Sequence, residues 1–362
     1  MISIILPTYN EVDNIKIIIP KIAEVLDRED LKWEIIVVDD NSPDGTADIA
    51  KELSEKYSVK VFVRKTDRGL SKSVIKGFKL AEGDLYLVMD ADLSHPVEKI
   101  PEMVKPIILN ECDATVGSRN IPGGGCAEWS ILRRIISKIA GCMAKGVTSL
   151  SDPTSGFMAI RKSVLNGIDI DPLGWKIVLE VIVKARPRVK EIPILFSERK
   201  KGESKLGIKA QIDYLHHLWR LYSFKYPGVT QFIKFCLVGT SGIFIDTAVL
   251  VLLVELLYFD PRLAAIFAFT AAVSWNYLFN RVWTFKQGVG TKITHTYITF
   301  VIVCMIGLGI RIGVMHLLMT YVGMSEMPWY VLASLLGIAA ATIFNFLGSK
   351  YLVFSKWFYK LK

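Results

Sequence analysis

The chain has 362 residues with a formal net charge of +9 and a mean hydropathy of +0.37. That length allows two or three domains, and that hydropathy excludes an ordinary soluble protein. Ten basic and four acidic residues follow residue 230, so the N-terminal part is nearly neutral, which argues against nucleic acid as a partner. The five scattered cysteines form no Cys-x-x-Cys pair and support neither a disulfide framework nor a zinc site.

Strands and helices are predicted to alternate in the first part of the chain. Apolar runs predict strands over 2–6, 33–38 and 59–63 and from residue 85, and turn and capping residues predict helices between them. This alternation is typical of βαβ units, so we expect an α/β fold with a mainly parallel sheet. No signal-peptide pattern precedes the first strand, and we expect this half of the chain in the cytosol.

Polar clusters follow three of these strands, at residues 7–11, 39–40 and 90–92. The carboxyl ends of parallel strands share one edge of the sheet, where ligands bind. Asp90 and Asp92 suit Mg²⁺ or Mn²⁺ carrying a diphosphate. The sequence has no glycine-rich phosphate loop, so we expect the metal to hold the phosphates. The alternatives are a solvated loop at Asp90 and Asp92, and helix capping at Asp39 and Asp40.

Five motifs occur in an order that resembles family 2 glycosyltransferases of the GT-A fold, in particular the dolichol- or polyprenol-phosphate mannosyltransferases. They are Pro7-Thr8-Tyr9-Asn10-Glu11, residues 37–46, Asp90-Ala91-Asp92, Gly117-Ser118-Arg119 and residues 152–157. The resemblance covers about residues 1–207. A lone Asp-x-Asp is a weak signal, but five ordered motifs are a strong one.

The resemblance implies roles for particular residues. The GDP part of a donor would be held by Pro7, Tyr9, Glu11, Val38 and Asp40. Asp90 and Asp92 would bind the metal and diphosphate, and Ala91 would contact the donor. Ser94, where some relatives carry glutamine, is a further candidate metal ligand. The donor diphosphate and the lipid phosphate would be held by Arg119, Lys176, Arg199 and Lys205. The alternative is that these basic side chains lie on the solvent-exposed surface and bind no ligand. The residues expected to act in catalysis are Asp92, Arg119 and Arg199.

The resemblance further implies inverting transfer of mannose from GDP-mannose to dolichyl or polyprenyl phosphate at the cytosolic membrane face. A phosphate monoester is already anionic at neutral pH, so no general base is expected. Two alternatives stay open. One is transfer of glucose or another sugar from a UDP-sugar to polyprenyl phosphate. The other is a lipid carrier or flippase to which the first half of the chain merely docks.

The second half of the chain is strongly apolar. It predicts an all-α domain with four transmembrane helices at about 231–257, 261–283, 296–322 and 329–353. We expect a glycosyltransferase domain over 1–207, amphipathic interfacial linker helices over 208–229 and a membrane domain over 230–362; the alternative for the linker is a helix packed on the first domain. Four spans and the positions of Lys286, Lys292, Lys356, Lys360 and Lys362 predict cytosolic termini.

The membrane half contains an internal repeat. Residues 276–285 match residues 345–354, and Phe235 and Gly242 align with Phe300 and Gly307. This indicates two similar helical hairpins in parallel orientation and resembles GtrA-type membrane domains. The alignment places Asp246 opposite Arg311. Because charges inside spans are usually paired, an ion pair between them is expected.

Overall fold

The structure is a computed structural model that describes residues 1–126, 129–171, 174, 176–197, 207–286 and 292–355, without the side chains of Leu132 and Ile208. The chain forms two compact units, Met1–Lys225 and Tyr226–Lys362. The structure thus assigns residues 208–225, which the sequence treats as a linker, to the first unit.

The first unit alternates strands and helices as predicted. Its strands are β1 (Ile2–Thr8), β2 (Trp33–Asp39), β3 (Val59–Val63), β4 (Leu85–Val88), β5 (Ala114–Ser118), β6 (Gly125–Cys126), β7 (Met158–Arg161), β8 (Val189–Pro193) and β9 (Leu195–Phe196). Its α-helices are α1 (Val12–Arg28), α2 (Thr46–Ser54), α3 (Leu70–Leu80), α4 (Ile100–Ile108), α5 (Ile131–Ala144), α6 (Ile177–Ala185) and α7 (Ile208–Lys225).

Seven strands form one sheet in the order β3-β2-β1-β4-β7-β5-β8. β1 pairs in parallel with β2 and with β4, and β2 pairs in parallel with β3. Only β7 among these strands runs antiparallel to its neighbours. The predicted mainly parallel α/β fold is therefore confirmed. Every residue of β1 is buried, as expected for a parallel strand covered on both faces.

The sheet is packed on both faces. On one face, Ile4 and Leu6 pack with the apolar sides of α1 and α4, including Ile18 and Met103. On the other face, Ile5 packs with residues of α3 and α6 such as Val74 and Val181. The central strands are therefore held rigidly, and so are the loops that leave their carboxyl ends.

Helix α7 packs on α5 and α6. Tyr214 Oη donates to the carbonyl of Ala140 (2.7 Å), and Tyr222 Oη donates to that of Met143 (2.7 Å). His217 Nε2 lies 3.0 Å from Oε2 of the buried Glu180 on α6. The opposite side of α7 exposes Ile212, Leu215 and Trp219. The helix is thus attached to the first unit, which is the alternative left open by its sequence, and still presents an apolar surface.

The described residues of the second unit, 226–286 and 292–355, contain four long apolar helices, which confirms the four predicted spans. The spans are Pro227–Leu256, Pro261–Thr284, Ile293–Tyr321 and Trp329–Val353. They comprise α8 (Pro227–Val251), α9 (Pro261–Phe279), α10 (Ile293–Tyr321) and α11 (Trp329–Gly348), with short π-helical turns. Large apolar side chains such as Phe244 and Ile266 face outward, as a lipid environment requires. This unit is a multi-pass membrane domain.

The two hairpins of the second unit repeat one close contact. A Cβ placed on Gly242 of α8 would lie 2.4 Å from Oδ1 of Asn276 on α9. A Cβ placed on Gly307 of α10 would lie 2.1 Å from Oδ1 of Asn345 on α11. In both hairpins a glycine Cα–H therefore points at an amide oxygen, a weak hydrogen bond common between close helices. The aligned Phe285 and Phe354 stack on each other, with ring centroids 5.1 Å apart.

The predicted Asp246–Arg311 ion pair is wrong. Among the described residues, no contact of 4.0 Å or less joins these two side chains. Asp246 lies on α8, which packs mainly against α9, whereas Arg311 lies on α10 and packs its backbone and stem against Gly337 of α11. The two residues thus belong to different hairpins.

The repeated glycine–asparagine contact predicts that alanine is tolerated at one glycine of α8, Gly239, but not at another, Gly242. Gly242→Ala should lower the thermal midpoint of the purified protein in detergent, because overpacking costs about 1–3 kcal/mol. Gly239→Ala is the matched control, since no atom lies within 4 Å of its Cβ position. The double variant Gly242→Ala/Asn276→Ala should recover part of the loss. Equal midpoints for the two single variants would contradict the assignment of this contact.

Candidate active site

A cavity of ≈ 980 Å³ lies at the carboxyl edge of β1, β2 and β4. Nine of the predicted site residues line it: Pro7, Tyr9, Glu11, Asp40, Asp90, Ala91, Asp92, Arg119 and Lys176. Val38 and Ser94 are fully buried and are not among the residues that line it. Arg199 and Lys205 lie outside the described residues.

The two acids that end β2 hold different loops. Asp39 accepts hydrogen bonds from Thr8 Oγ1 (2.9 Å) and from the hydroxyl and amide of Ser42 (2.6 and 2.8 Å). These bonds stabilise the turn after β2 and do not cap α2, whose first residue is Thr46. Asp40 accepts from Arg64 (2.9 Å), from Ser73 Oγ (2.8 Å) and from the amide of Gly69 (2.7 Å). It therefore fixes the loop that brings Arg68, Gly69 and Leu70 to the cavity wall.

Gly69 is a position in this loop that requires glycine. Its φ of +140° is a backbone conformation that residues with a side chain rarely adopt. At the neighbouring strand end, the amide of Glu11 donates to Thr46 Oγ1 (2.9 Å) and its carboxylate accepts from Asn14 (2.6 Å). The loops after β1 and β2 are thus joined, and they leave the ring of Tyr9 partly exposed at the cavity.

The Asp90–His95 segment forms a tight turn. Asp92 Oδ1 accepts from the amide of Ser94 (3.1 Å) and from its hydroxyl (2.5 Å). The amide of Asp90 donates to His95 Nδ1 (3.2 Å), and Leu93 has φ +62°. Burial lowers the pKa of His95 and outweighs the attraction of Asp90 and Asp92. In this arrangement the Ser94 hydroxyl supports Asp92; a direct metal contact of Ser94 stays a prediction.

Asp90 and Asp92 offer a suitable donor set for a hard divalent cation. Both carboxylates line the cavity, and carboxylate oxygens are the ligands that Mg²⁺ and Mn²⁺ prefer. The described residues contain no cluster of three or more acidic, histidine or cysteine side chains placed to hold a metal. Two carboxylates completed by phosphate oxygens and water fit Mg²⁺, which is rarely enclosed by protein alone.

Arg119 and Asp152 form a buried bidentate ion pair. Arg119 Nε and Nη2 donate to the two carboxylate oxygens at 2.6 and 2.7 Å, and Nη2 also reaches Thr154 Oγ1 (2.7 Å). Burial raises the pKa of Asp152, but the hydrogen bonds and charge of Arg119 outweigh it and lower that pKa. The guanidinium lies over the rings of Trp129 (4.9 Å) and Phe196 (5.3 Å). Its plane is therefore fixed at the cavity wall.

Lys176, immediately before α6, is one of four described basic residues that line the cavity, with Arg68, Arg119 and Arg133. Its Nζ donates to the carbonyl of Thr154 (2.5 Å), so the 152–154 segment contacts both Arg119 and Lys176. Burial lowers the pKa of Lys176 to about 7, and the charge of Arg119 acts in the same direction. An anion bound nearby would favour the charged ammonium.

Sequence reasoning missed the other wall of the cavity. From α5 and the segment before it come Trp129, Arg133, Ile136, Ile139, Ala140 and Met143, and from α7 come Ala210, Gln211, Tyr214 and Leu215. One end of the cavity is thus polar and charged, and the other is a mostly apolar groove between two helices. The sequence signal that could have indicated it is the spacing of Ile136, Ile139, Ala140 and Met143, which places these four apolar residues on one face of α5.

The buried ion pair predicts a large stability difference between two aspartate variants. Asp152→Asn leaves the guanidinium of Arg119 buried without its counter-charge and should cost about 3–5 kcal/mol. Asp113→Asn removes a pair with the exposed Arg188 and should cost at most about 1 kcal/mol. Thermal unfolding of both purified variants checks this. Similar midpoints for the two variants would show that Asp152 does not stabilise Arg119.

Two family models match the two units separately. The first, described as Glycosyl transferase family 2, matches residues 3–168. The second, described as GtrA/DPMS, transmembrane domain, matches residues 234–354. The matches fall on the α/β unit and on the four-helix unit, and no described residue of the cavity belongs to the second match.

Curated relatives and a solved structure are similar to this chain. A dolichol-phosphate mannosyltransferase of Pyrococcus furiosus is 38% identical over 93% of this chain and 94% of its own length. One of Saccharomyces cerevisiae is 40% identical over 64% of this chain and 91% of its own length. Glucosyl-3-phosphoglycerate synthase of Mycobacterium tuberculosis has a TM-score of 0.48 and 16% identity, covering 62% of this chain and 79% of that one.

Proposed function

This chain belongs to the dolichol-phosphate mannosyltransferases of glycosyl transferase family 2, and from that premise we propose the donor, the metal and the membrane face of its reaction. The enzyme transfers mannose to dolichyl phosphate. In our proposal the donor is GDP-mannose, a divalent Mg²⁺ or Mn²⁺ ion assists its diphosphate, the anomeric centre is inverted, and the reaction takes place at the cytosolic face of the membrane.

The observation that supports this proposal most strongly is that one cavity has a charged end and a mostly apolar end. Its charged end is lined by Asp90, Asp92, Arg119 and Lys176, and its other end is the mostly apolar groove between α5 and α7. A nucleotide-sugar needs polar contacts for its base and diphosphate, whereas an isoprenoid chain needs an apolar surface. Because both ends belong to one cavity, the sugar C1 of the donor and the phosphate of the lipid can meet there.

Each group of residues has a role in this mechanism. Tyr9, Glu11 and Asp40 line the part of the cavity that would hold the nucleoside. A divalent cation, held by Asp90 and Asp92, would neutralise charge on the departing diphosphate. Arg119 and Lys176 would orient the acceptor phosphate and the diphosphate. Because Nε and Nη2 of Arg119 already donate to Asp152 and Thr154, Arg119 would act through Nη1 and through its permanent charge.

The acceptor supplies its own nucleophile. A phosphate monoester is anionic at neutral pH, so its oxygen can attack C1 directly while the bond from C1 to the GDP oxygen breaks. No proton has to be removed from the acceptor in this step. Catalysis would then rest on positioning and on charge stabilisation, and a single displacement inverts the anomeric carbon.

The proposed membrane face rests on charge and on apolar exposure. Lys286 and Lys292 lie between the second and third spans, and an excess of lysine is typical of cytosolic loops. The lysines at 356, 360 and 362, which would lie on the same side, fall outside the described residues. Exposed Ile131 and Ile135 on α5 and Ile212 on α7 suit the surface of a membrane leaflet.

A donor panel tests the proposed substrate. Full-length protein in vesicles containing dolichyl phosphate should form mannosyl lipid from GDP-mannose at least about a hundredfold faster than it forms glycosyl lipid from UDP-glucose. Asp92→Asn should reduce transfer by about 10²–10³-fold. Faster transfer from UDP-glucose would contradict GDP-mannose as the donor. Full activity of Asp92→Asn would contradict the proposed role of this carboxylate in binding the metal.

The lowered pKa of Lys176 predicts a pH dependence of acceptor binding. Because the pKa of Lys176 is about 7, this side chain loses its ammonium charge in the free enzyme as pH rises above 7. The acceptor phosphate is already a dianion in this range, since its second pKa is about 6. The KM for dolichyl phosphate should therefore rise with pH above 7, by up to about tenfold per unit.

Lys176→Arg is the control for this dependence, because a guanidinium stays charged across this range. The KM of that variant for dolichyl phosphate should change little between pH 7 and 9. Measurements of KM at several pH values for both proteins are sufficient. An identical rise in KM for both would assign the dependence to another group.

A further inference from the structure

We propose that His95 is a positioning residue for the donor diphosphate, because its Nδ1 holds the backbone amide of Asp90 and thereby sets the Asp90–Asp92 turn. The inference rests on the proposed function, since it concerns the carboxylates that would bind the metal and diphosphate. His95 itself need not contact the donor. It would act through the orientation of Asp90.

The sheet ladder ends one residue before the first of these carboxylates. The amide of Met89 still donates to the carbonyl of Ile5 on β1 (3.4 Å). The next amide, that of Asp90, instead donates to His95 Nδ1 (3.2 Å). A side chain five residues further along thus replaces the neighbouring strand as the acceptor. The rigid support of the sheet extends in this way to the residue that carries the first carboxylate.

The rest of the turn requires such support. Leu93 lies in the left-handed region, with φ +62°, which is unfavourable for a residue with a large side chain. The turn is also held by the bonds from Ser94 to Asp92 Oδ1 and by the amide of Ser197, which donates to the carbonyl of Ser94 (3.1 Å). These bonds fix the second carboxylate, whereas the bond to His95 fixes the backbone of the first.

The imidazole ring is itself held in one orientation. It stacks on Phe157 with 5.2 Å between ring centroids and meets the edge of Phe196 at 5.4 Å. The Cβ position of Gly156 lies 3.5 Å from His95 Cε1 and 3.4 Å from Asp90 Oδ2, so the ring edge and the carboxylate flank the same glycine. Because Nδ1 accepts a hydrogen bond, the ring is neutral with its proton on Nε2.

Two substitutions of His95 by an amide side chain distinguish the effect of the hydrogen bond from the effect of the ring. His95→Asn retains an acceptor oxygen close to the place of Nδ1 but lacks the ring. His95→Gln also lacks the ring and carries its amide near the place of Nε2, too far along the side chain to accept from Asp90. His95→Phe keeps the stacking and removes the acceptor. His216→Asn, at an exposed residue of α7 away from the cavity lining, is the control.

The measurement is binding of Mn²⁺ to the full-length protein in detergent in the presence of GDP, followed by the electron paramagnetic resonance signal of free Mn²⁺. GDP binding without metal is measured in parallel. His95→Gln and His95→Phe should weaken Mn²⁺ binding by about 10–100-fold, as loss of a supporting partner does. GDP binding without metal should stay close to wild type in both. His95→Asn should recover most of the Mn²⁺ affinity.

The outcomes separate this inference from the function on which it rests. Equal loss of Mn²⁺ affinity in His95→Asn and His95→Gln would show that only the ring matters and would overturn the proposal. Unchanged affinity in His95→Gln would also overturn it, and this pair decides the question even if His95→Phe fails to fold. A wild-type protein that binds GDP but no Mn²⁺ would overturn the proposed metal, whatever the variants do.

Discussion

The parallel pairing of β1 with β2 on one side and β4 on the other is the constraint on which the active site depends. It brings Thr8, Asp39 and Met89, the last residues before the three polar loops, to one edge of a sheet that is packed on both faces. If β4 ran the other way, Asp90 and Asp92 would leave the sheet about 13 Å away, at the opposite edge. The nucleoside and diphosphate parts of a donor could then no longer share one cavity.

The charges next to the proposed metal position offer little attraction to an anion on its own, although Arg68 and Arg133 also line the cavity. Asp90 and Asp92 repel a diphosphate, and the charge of Arg119 is largely compensated by Asp152 at 2.6 Å. Burial leaves Lys176 with a pKa of about 7. A divalent cation between the two carboxylates and the diphosphate would remove this repulsion and add a positive charge. The electrostatics of Asp90 and Asp92 thus support the proposed metal, as their oxygen donors do.

The sequence predicted the parts of the site that depend on strand ends. Hydrophobic runs followed by polar clusters were sufficient to bring Tyr9, Asp40 and Asp90 to one edge, because parallel strands leave no other arrangement. The partners of these residues were not predictable. Asp152 meets Arg119 from a distant loop, and His95 meets Asp90 only because Leu93 adopts a left-handed conformation. Such contacts depend on tertiary structure and on backbone angles that have no periodic signal.

In the membrane unit, too, the sequence pattern predicted the elements but not all of the contacts between their side chains. Aligning residues 276–285 with 345–354 predicted two related hairpins, and the Gly242–Asn276 and Gly307–Asn345 contacts repeat accordingly. The same alignment suggested the Asp246–Arg311 pair, which does not form. An alignment shows which positions are equivalent, but equivalent positions face each other only near the pseudo-symmetry axis. The ring centroids of Phe285 and Phe354 lie 5.1 Å apart there, whereas Asp246 and Arg311 belong to separate hairpins.

A lipid phosphate acceptor explains why the two ends of the cavity differ so strongly. An alcohol acceptor would need a base within hydrogen-bonding reach of its hydroxyl, but an anionic phosphate needs only cations that orient it without binding it too tightly. Arg119 meets this requirement because Asp152 already occupies two of its donors, and Lys176 because its charge depends on the anion beside it. The apolar groove between α5 and α7 then provides affinity for the chain, so the charged end can be reserved for the reacting groups.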